Sequence, residues 1–406
     1  MSSTAAEREA TRGGEPGHDG GAGDGGAGDG GPGKRGGRPW YLHPIGILWL
    51  FIPIAAALEL SHVFGLADPP AWLLFVSSAL GVIPTAGLMG RATEELAAKS
   101  GPGIGGLLNV TFGNFPELVI AFLALIAGLQ EVVRASIVGS IIGNILLVMG
   151  ASMLVGGLRH ERQEFNRTAA HSQALMLMLA LVALVLPAAY DILQGGSLPT
   201  PGESRADFPA GLQQISFITA VVLIGSYALG LLFSLKTHRR LFNPFEEEEG
   251  DEATWTVRKS VSMLAIAGVL VGVMSEILVG SISEAAETIG LSEFFIGVFV
   301  VAIVGNAAEH WVAVLVAYKN KMDLAVNIAI GSSAQIALFV APLLVLLSFI
   351  VGPEPLLLVF SGYEIVGMIF AVLIANFAVQ EGESNWFEGV QLLAVYAVLG
   401  LVFFFA

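Results

Sequence analysis

The chain has 406 residues, of which 54% are hydrophobic and only 13% are charged. Because soluble domains average about 25% charged residues, this composition excludes a soluble enzyme. The formal net charge of −15 offers no basic surface for a nucleic acid partner. The absence of cysteine excludes disulfides, thiol catalysis and thiolate metal sites.

The first 39 residues differ in composition from the rest of the chain. Between positions 13 and 37, 14 of 25 residues are glycine, and acidic and basic residues are interleaved with them. Such a segment cannot bury enough apolar surface to offset the entropy lost on ordering. The sequence therefore predicts a disordered Gly/Asp-rich tail over 1–39, with no cleavable signal peptide because the tail has no apolar stretch.

Eleven apolar stretches follow, and each is long enough to cross a bilayer as a helix. Together they predict an all-α polytopic membrane protein with about eleven transmembrane helices, the first within residues 40–66. The predicted spans are 44–64, 71–90, 103–128, 132–157, 169–190, 210–235, 257–280, 290–317, 323–351, 356–378 and 386–405.

The positions of Lys and Arg predict the orientation of these spans, because cytoplasmic loops are enriched in both. With the N-terminus in the cytoplasm, 17 of the 19 basic residues fall in cytoplasmic segments, and only Arg134 and Arg205 fall on the opposite side. The compact chain favours a multi-pass protein of a bacterial cytoplasmic membrane over a vacuolar one.

Two motifs recur at a fixed offset of 192 residues. Segment 113–117 (GNFPE) matches segment 305–309 (GNAAE), and Gly-Ser at 139–140 matches Gly-Ser at 331–332. The offset predicts a duplication, with a first repeat of five spans over 71–235, an acidic cytoplasmic linker over 236–256 and a second repeat of five spans over 257–405. Because five is odd, the copies are inverted, an arrangement typical of transporters that bind substrate near the midplane. Six further residues have an identical residue 192 positions later: Ile104, Gly105, Ala121, Leu123, Leu146 and Val148.

Glu117 and Glu309 lie near the middle of their predicted spans, where an ionisable group costs several kcal/mol unless it is paired, protonated or bound to a cation. Asn114 and Asn306 each precede a glutamate by three residues, so amide and carboxylate share one helix face. Pro116 removes a backbone N–H, and Gly113 and Gly305 loosen the same turn. We therefore expect a broken helix in each repeat, with free carbonyls that help to hold a cation.

The oxygen atoms of this site suit a hard cation. Two carboxylates, two amides, main-chain carbonyls and water reach the six to eight oxygens that Ca²⁺ takes, and no histidine cluster favours a softer metal. Two buried carboxylates close together also bind protons, so two protons and one divalent ion compete for the same site. The loaded site then carries the same net charge in both cases. The alternative is a structural hydrogen-bonded pair of glutamates.

Other residues receive weaker predictions. His310 either relays protons or packs as a hydrogen-bonded side chain. The glycines at 113 and 305, with Ser140, Ser332 and Gln335, either line an ion path or allow close helix packing. Predicted proton-handling or gating carboxylates are Glu95 and Glu287, at entrances or solvated helix ends, and Glu276, expected to be buried. The acidic run at 246–252 is either a cation-collecting segment or a solvated linker.

These motifs resemble the cation/proton exchanger family of the Ca²⁺/cation antiporter superfamily. The resemblance rests on segments 304–310 (VGNAAEH), 319–324 (KNKMDL), 331–340 (GSSAQIALFV) and 92–97 (ATEELA), together with the first GN motif, and it covers roughly 44–405. It implies Ca²⁺/H⁺ exchange with Glu117 and Glu309 binding Ca²⁺ and protons in turn, and Asn114 and Asn306 as ligands. The chain departs from the family pattern at Phe115, Pro116 and Ala302.

The sequence thus predicts a secondary active antiporter, not an enzyme, that exports or sequesters Ca²⁺ in exchange for H⁺ by alternating access. A Na⁺-coupled exchanger, or a proton antiporter that also accepts Mn²⁺ or Na⁺, is the alternative. The expected partners are Ca²⁺, H⁺ and the lipid bilayer, without a resident cofactor or nucleic acid. The oligomeric state stays open, with a homo-oligomer as one option.

Overall fold

The computed structural model describes residues 44–202, 208–237 and 254–406. The predicted tail and the acidic run at 246–252 lie outside the described residues. The helices are α1 (Phe51–Val63), α2 (Ala71–Ser100), α3 (Pro102–Gly113), α4 (Phe115–Ile126), α5 (Gln130–Gly157), α6 (Arg167–Leu193), α7 (Ala210–Leu232), α8 (Val257–Gly280), α9 (Ile282–Ile289), α10 (Glu293–Tyr318), α11 (Met322–Ser348), α12 (Gly362–Ala378) and α13 (Trp386–Phe404).

The described helices confirm a polytopic α-helical membrane protein. Among the described residues, nine helical spans are long and apolar enough to cross a membrane, and the first of them, Gly46–Val63, includes a 3₁₀ helix before α1. The pair α3 and α4, bent by 44°, forms a tenth if it is one span. Helix α12 is a shorter apolar helix of 17 residues. Each of the eleven predicted spans overlaps one of these helices or the bent pair, and the number eleven itself remains a prediction.

The predicted span over 356–378 begins too early. Residues 356–360 are a fully buried segment that is neither helix nor strand. Helix α12 starts only after Ser361, which caps the helix in a capping box with Glu364. Two serine hydroxyls accept hydrogen bonds from backbone N–H groups of this segment. Ser348 accepts from Leu356 at 2.7 Å, and Ser216 accepts from Leu358 at 3.2 Å. Hydropathy alone does not distinguish a buried apolar segment outside a helix from the first turn of a helix.

Helix α2 continues ten residues beyond its predicted end at position 90, so the carboxylates at 94 and 95 belong to a helix and not to a loop. The corresponding segment of the second repeat is divided at Ser281 into α8 and α9. Three long helices also contain π-helical turns: α5 at 143–148, α10 at 296–301 and α11 at 336–340. Those of α5 and α11 fall at nearly equivalent places of the two repeats.

The centre of the molecule is formed by α4, α5, α10 and α11, which pack on one another, while α2 packs along α8 and against α10. A two-stranded antiparallel sheet, β1 (Gln163–Glu164) and β2 (Glu383–Ser384), joins two loops. The buried Gln163 side chain donates to the carbonyl of Ala317 at 2.8 Å and to Asn320 Oδ1 at 3.0 Å. These contacts connect segments of the two predicted repeats.

Candidate cation site

The two GN motifs adopt different backbone conformations. In the first, α3 ends at Gly113, Asn114 lies between the helices, and α4 begins at Phe115 with Pro116 in its first turn. The expected break is therefore present here. The carbonyl of Phe112, which loses its helical donor to the proline, accepts the backbone N–H of Asn114 instead.

The second motif contradicts the expected break. Helix α10 is continuous from Ala302 to Tyr318, through Gly305 and Asn306. Position 308 is alanine where the first motif has proline, so the backbone hydrogen bonds can continue. The main-chain carbonyls at 302–305 are thus part of a helix, and the prediction of free carbonyls in this copy was wrong.

Each glutamate lies against the glycine of the opposite motif. A Cβ on Gly305 would stand 3.1 Å from Glu117 Cγ, and a Cβ on Gly113 would stand 3.4 Å from Glu309 Oε1. Any larger side chain at position 305 would displace Glu117. The two carboxylates are close enough to repel each other when both are ionised.

A hydrogen-bonded chain supports Glu309. The hydroxyl of Ser332 lies 2.9 Å from both Glu309 Oε2 and Asn114 Oδ1, and Asn114 Nδ2 donates to Gln335 Oε1 at 2.5 Å. A hydroxyl has one hydrogen to donate, so Ser332 is shared by two acceptors. The motif of the first repeat is in this way fixed by α11 of the second.

The symmetric contact occurs on the other side, where Asn306 Nδ2 donates to Ser140 Oγ at 3.0 Å and to the carbonyl of Ala302 at 2.9 Å. Asn306 Oδ1 and Glu117 Oε2 are buried acceptors without a hydrogen-bond donor. Buried acceptors are nearly always satisfied. A hard cation between the motifs would satisfy both of these oxygens.

His310 is adjacent to Glu309 and its Nε2 lies 3.0 Å from Asn144 Oδ1, in the π-helical turn of α5. This pair has no polar counterpart in the other repeat, because the positions 192 residues away are Leu118 and Ile336. The His310 contact is therefore a point at which the two halves of the site differ.

A cavity of about 960 Å³ leads to the site from one side. Its wall includes Glu309 and residues of α2, among them Arg91, one of the basic residues of the predicted cytoplasmic side. Polar side chains along its wall include Arg91, Glu94, Asn109, Asn327, Ser332 and Gln335. On the other side of Glu117, a cavity of only about 10 Å³ is lined by Ser136, Ser140 and apolar residues.

The predicted proton-handling carboxylates are not gathered at this centre. Glu95 lies in the cavity wall, where it accepts hydrogen bonds from the Thr254 hydroxyl at 2.7 Å and the Trp255 backbone N–H at 2.8 Å. Glu287 is exposed on α9. Glu276 is exposed on α8, so the expectation that it is buried was wrong, because its position faces outward from the helix bundle.

Sequence reasoning missed several polar residues of the cavities, among them Asn109 and Ser136. Asn109 lies four residues before the first GN motif, and it could have been found as an isolated amide in an apolar span. Ser136 lies one turn before Ser140 on the same face of α5, a spacing that was visible in the sequence. Among the described residues, no three His, Asp or Glu side chains form a metal-binding group.

This combination of inward-facing carboxylates, a broken helix and a one-sided cavity is typical of a polytopic membrane transporter. The family described as "Sodium/calcium exchanger protein" matches the chain twice, over residues 70–236 and 259–405. The chain therefore belongs to this family, and the predicted class, a transporter and not an enzyme, is confirmed.

Known relatives confirm the resemblance to cation/proton exchangers. The chain is 44% identical to the Ca²⁺/H⁺ antiporter of Aphanothece halophytica, with 88% of this chain and 95% of the relative covered. It is 43% identical to the Ca²⁺/H⁺ antiporter ChaA of Bacillus subtilis (strain 168), with 87% and 98% covered. The solved structure of native YfkE has a TM-score of 0.72 at 39% identity, covering 89% of this chain and all of that one.

Proposed function

We propose that this protein is a Ca²⁺/H⁺ antiporter in which Glu117 and Glu309 bind either one Ca²⁺ or two protons. The observation that carries the proposal is the pair of buried acceptors without donors, Glu117 Oε2 and Asn306 Oδ1, beside a second carboxylate. Each is an oxygen that a divalent cation would bind and a neutral pocket would leave unsatisfied. The names of the relatives support the same pair of ions.

The ligand set consists of residues on both repeats. Glu117 and Glu309 supply the charge, and Asn306 Oδ1 supplies a neutral oxygen. Asn114 Oδ1, which accepts from Ser332, supplies another neutral oxygen. Ser332 and Ser140 hold the two amides in place, and water from the large cavity completes the coordination. Protonation of both carboxylates removes their charge, and it thereby removes the attraction for the cation.

Alternating access is the transport mechanism that these cavities support best. The cavity of about 960 Å³ lies beside Glu309, whereas the cavity beside Glu117 measures only about 10 Å³. A transporter exposes its site to one side at a time. The mouth of the large cavity carries Arg91 on the predicted cytoplasmic side, so in this state Ca²⁺ is taken up from the cytoplasm, for export in exchange for protons.

Reconstituted protein in liposomes tests the proposal. Ca²⁺ uptake is measured under an imposed pH gradient with Na⁺ absent, and proton flux is recorded in parallel. We expect uptake that stops when the gradient is abolished, with two protons moved per Ca²⁺. Glu309→Gln protein at equal density is the control for leaks.

Either of two results would contradict the proposal. Uptake that requires a Na⁺ gradient would make Na⁺ the coupling ion, and Glu309→Gln protein that still exchanges Ca²⁺ for protons would reject the site. A proton-to-Ca²⁺ ratio different from two would reject the stoichiometry alone.

A further inference from the structure

Basic side chains gather around one tryptophan at the predicted cytoplasmic ends of α2 and α8. The guanidinium carbon of Arg91 lies 5.0 Å from the centre of the Trp255 ring, and Lys259 Nζ lies 4.4 Å from it. Lys99 Nζ donates a hydrogen bond to the Trp255 carbonyl. Trp255 is only 8% exposed, whereas all three basic side chains are exposed. Three cations from two helices thus surround one buried residue.

These three cations are not neutralised by contact with a carboxylate. Within residues 44–202, 208–237 and 254–406, none of them forms an ion pair. The carboxylate of Glu95, on the same turns of α2, accepts hydrogen bonds from the Thr254 hydroxyl at 2.7 Å and the Trp255 backbone N–H at 2.8 Å instead. Contact with an aromatic ring stabilises a cation but does not remove its charge. The cluster therefore attracts an anion.

The first turn of α8 adds to the positive potential. A helix N-terminus carries a partial positive charge and is stabilised by acidic residues nearby. The first turn of α8 has no acidic residue, and it has Arg258 and Lys259 instead. Thr256 caps this end, and its hydroxyl accepts the Lys259 backbone N–H at 3.3 Å. An anion beside this turn is attracted by the basic side chains and by the helix dipole together.

Apolar residues place this cluster at the level of the lipid headgroups. Val257 and Val261, one turn apart on α8, are 51% and 50% exposed, as expected for side chains in contact with lipid. Trp49 packs against the same apolar cluster as Trp255. Tryptophan is enriched where the hydrocarbon of a membrane meets water. The basic side chains therefore lie where the phosphates of the cytoplasmic leaflet are found.

We propose that the Trp255 cluster, formed by Arg91, Lys99, Arg258 and Lys259 around Trp255, binds the phosphate of an anionic phospholipid. Basic pockets between helices on the cytoplasmic side of a membrane suit such headgroups. The binding itself is independent of the transported ion.

The position of Arg91 gives the bound lipid a consequence for transport. Arg91 is the only basic residue among the described residues that line the large cavity, and its charge repels a cation that enters there. A lipid phosphate on the Trp255 cluster neutralises this charge and so favours the entry of Ca²⁺. This consequence rests on the proposed function.

Native mass spectrometry of the purified full-length protein tests the binding. The probes are phosphatidylglycerol and, as the neutral comparison, phosphatidylcholine. We expect the parent protein to retain phosphatidylglycerol preferentially, Lys259→Gln to weaken this retention by about fivefold, and Lys259→Arg to preserve it. Lys319→Gln is the matched control, because Lys319 is an exposed lysine at the end of α10 on the same predicted side.

Two results would overturn the lipid site. Equal retention by Lys259→Gln and Lys319→Gln protein would mean that other anions, such as the acidic run at 246–252, occupy these cations. Displacement of phosphatidylglycerol by excess inorganic phosphate would identify a site for free phosphate and not for a lipid.

Initial Ca²⁺ flux in liposomes tests the consequence for transport with opposite signs in two variants. Anionic lipids also attract Ca²⁺ to the membrane surface, so each variant is compared with the parent in the same liposomes. With phosphatidylglycerol present, Lys259→Gln should raise the KM for Ca²⁺. In phosphatidylcholine alone, Arg91→Gln should lower it, because the substitution removes the charge that the lipid would neutralise. An unchanged KM in both variants would overturn the effect of the lipid on transport.

The outcomes separate this proposal from the proposed function. Selective loss of phosphatidylglycerol in Lys259→Gln protein, together with a parent that does not exchange Ca²⁺ for protons, supports the lipid site and rejects the proposed function. Ca²⁺/H⁺ exchange with equal lipid retention in all variants rejects the lipid site alone.

Discussion

Ser332 is one of the side chains through which the two repeats meet at the site. Its hydroxyl lies 2.9 Å from a carboxylate of its own repeat and 2.9 Å from an amide of the other. The equivalent Ser140 contacts only an amide. We therefore expect the serine of the second repeat to have the greater influence on cation binding at the proposed site, although the two positions are identical in the sequence.

Replacement of Ser332 by alanine should weaken Ca²⁺ transport. The substitution leaves Glu309 Oε2 and Asn114 Oδ1 without a shared donor, and hydrogen bonds to charged groups contribute about 1.5–3 kcal/mol. We expect the KM for Ca²⁺ to rise by about tenfold, measured as initial flux in proteoliposomes. Ser333→Ala is the control, because that hydroxyl contacts only main-chain carbonyls, of Ala329 on its own helix at 2.9 Å and of Ile141 on α5 at 3.4 Å, and none of the site's carboxylates or amides. Equal effects of both substitutions would contradict this role.

Glu117→Gln should abolish Ca²⁺/H⁺ exchange without lowering the stability of the protein. The amide removes the repulsion between the two carboxylates, so the thermal unfolding temperature without Ca²⁺ should stay the same or rise. Ca²⁺/H⁺ exchange should be lost, since the site no longer exchanges two protons for a divalent ion. Thermal unfolding of purified protein and flux in liposomes provide the two measurements. A large loss of stability would instead indicate a structural glutamate pair.

For single residues, the sequence was informative where the side chain's charge restricts where it can lie in an apolar span. Carboxylates in an apolar span have few physical explanations, and both glutamates lie at the centre with their asparagines, serines and glutamine. Glu276 shows the limit, because a charge in a predicted span does not reveal which face of the helix it occupies. The face depends on packing against α2, which hydropathy does not report.

Among the elements, the two GN helices show how a single residue changes a backbone. Pro116 accompanies a break between α3 and α4, whereas Ala308 lies in a continuous helix. The break was predictable from the missing N–H of proline. Its absence from the second copy was not foreseen, because glycine and asparagine were given the same weight in both motifs.

The β1–β2 contact predicts a stability effect far from the site. Gln163→Ala removes hydrogen bonds at 2.8 and 3.0 Å from a fully buried side chain and leaves the Ala317 carbonyl without this donor. We expect the free energy of unfolding to fall by about 1–3 kcal/mol, measured by thermal unfolding in detergent. Gln130→Ala, which removes an exposed hydrogen bond to the Glu354 carbonyl, should have little effect. Similar shifts for both variants would contradict the structural role of this contact.

For the whole molecule, cation binding should stabilise the folded protein. A ligand at about 100 times its Kd adds about 2.7 kcal/mol to the free energy of unfolding. Ca²⁺ should therefore raise the unfolding temperature of the parent protein, with no rise in Glu309→Gln protein. An equal rise in both proteins would show that Ca²⁺ binds elsewhere.

The global asymmetry was not predictable from the sequence. The repeat offset predicts two equivalent halves, and the spans follow from hydropathy, but neither states which half of a symmetric pathway is open. The cavities beside the two glutamates nevertheless differ in size, about 960 Å³ beside Glu309 and about 10 Å³ beside Glu117. Identical motifs 192 residues apart do not predict this difference.

The facing pair of glutamates also has a consequence for the energy source of the cycle. Each elementary charge that crosses a membrane potential of 100 mV exchanges about 2.3 kcal/mol with it. Under the proposed stoichiometry the two carboxylates cross neutralised in both directions, once by Ca²⁺ and once by two protons. The membrane voltage then neither drives nor opposes transport, and a cell could depolarise fully without losing the ability to expel Ca²⁺ against a favourable pH gradient.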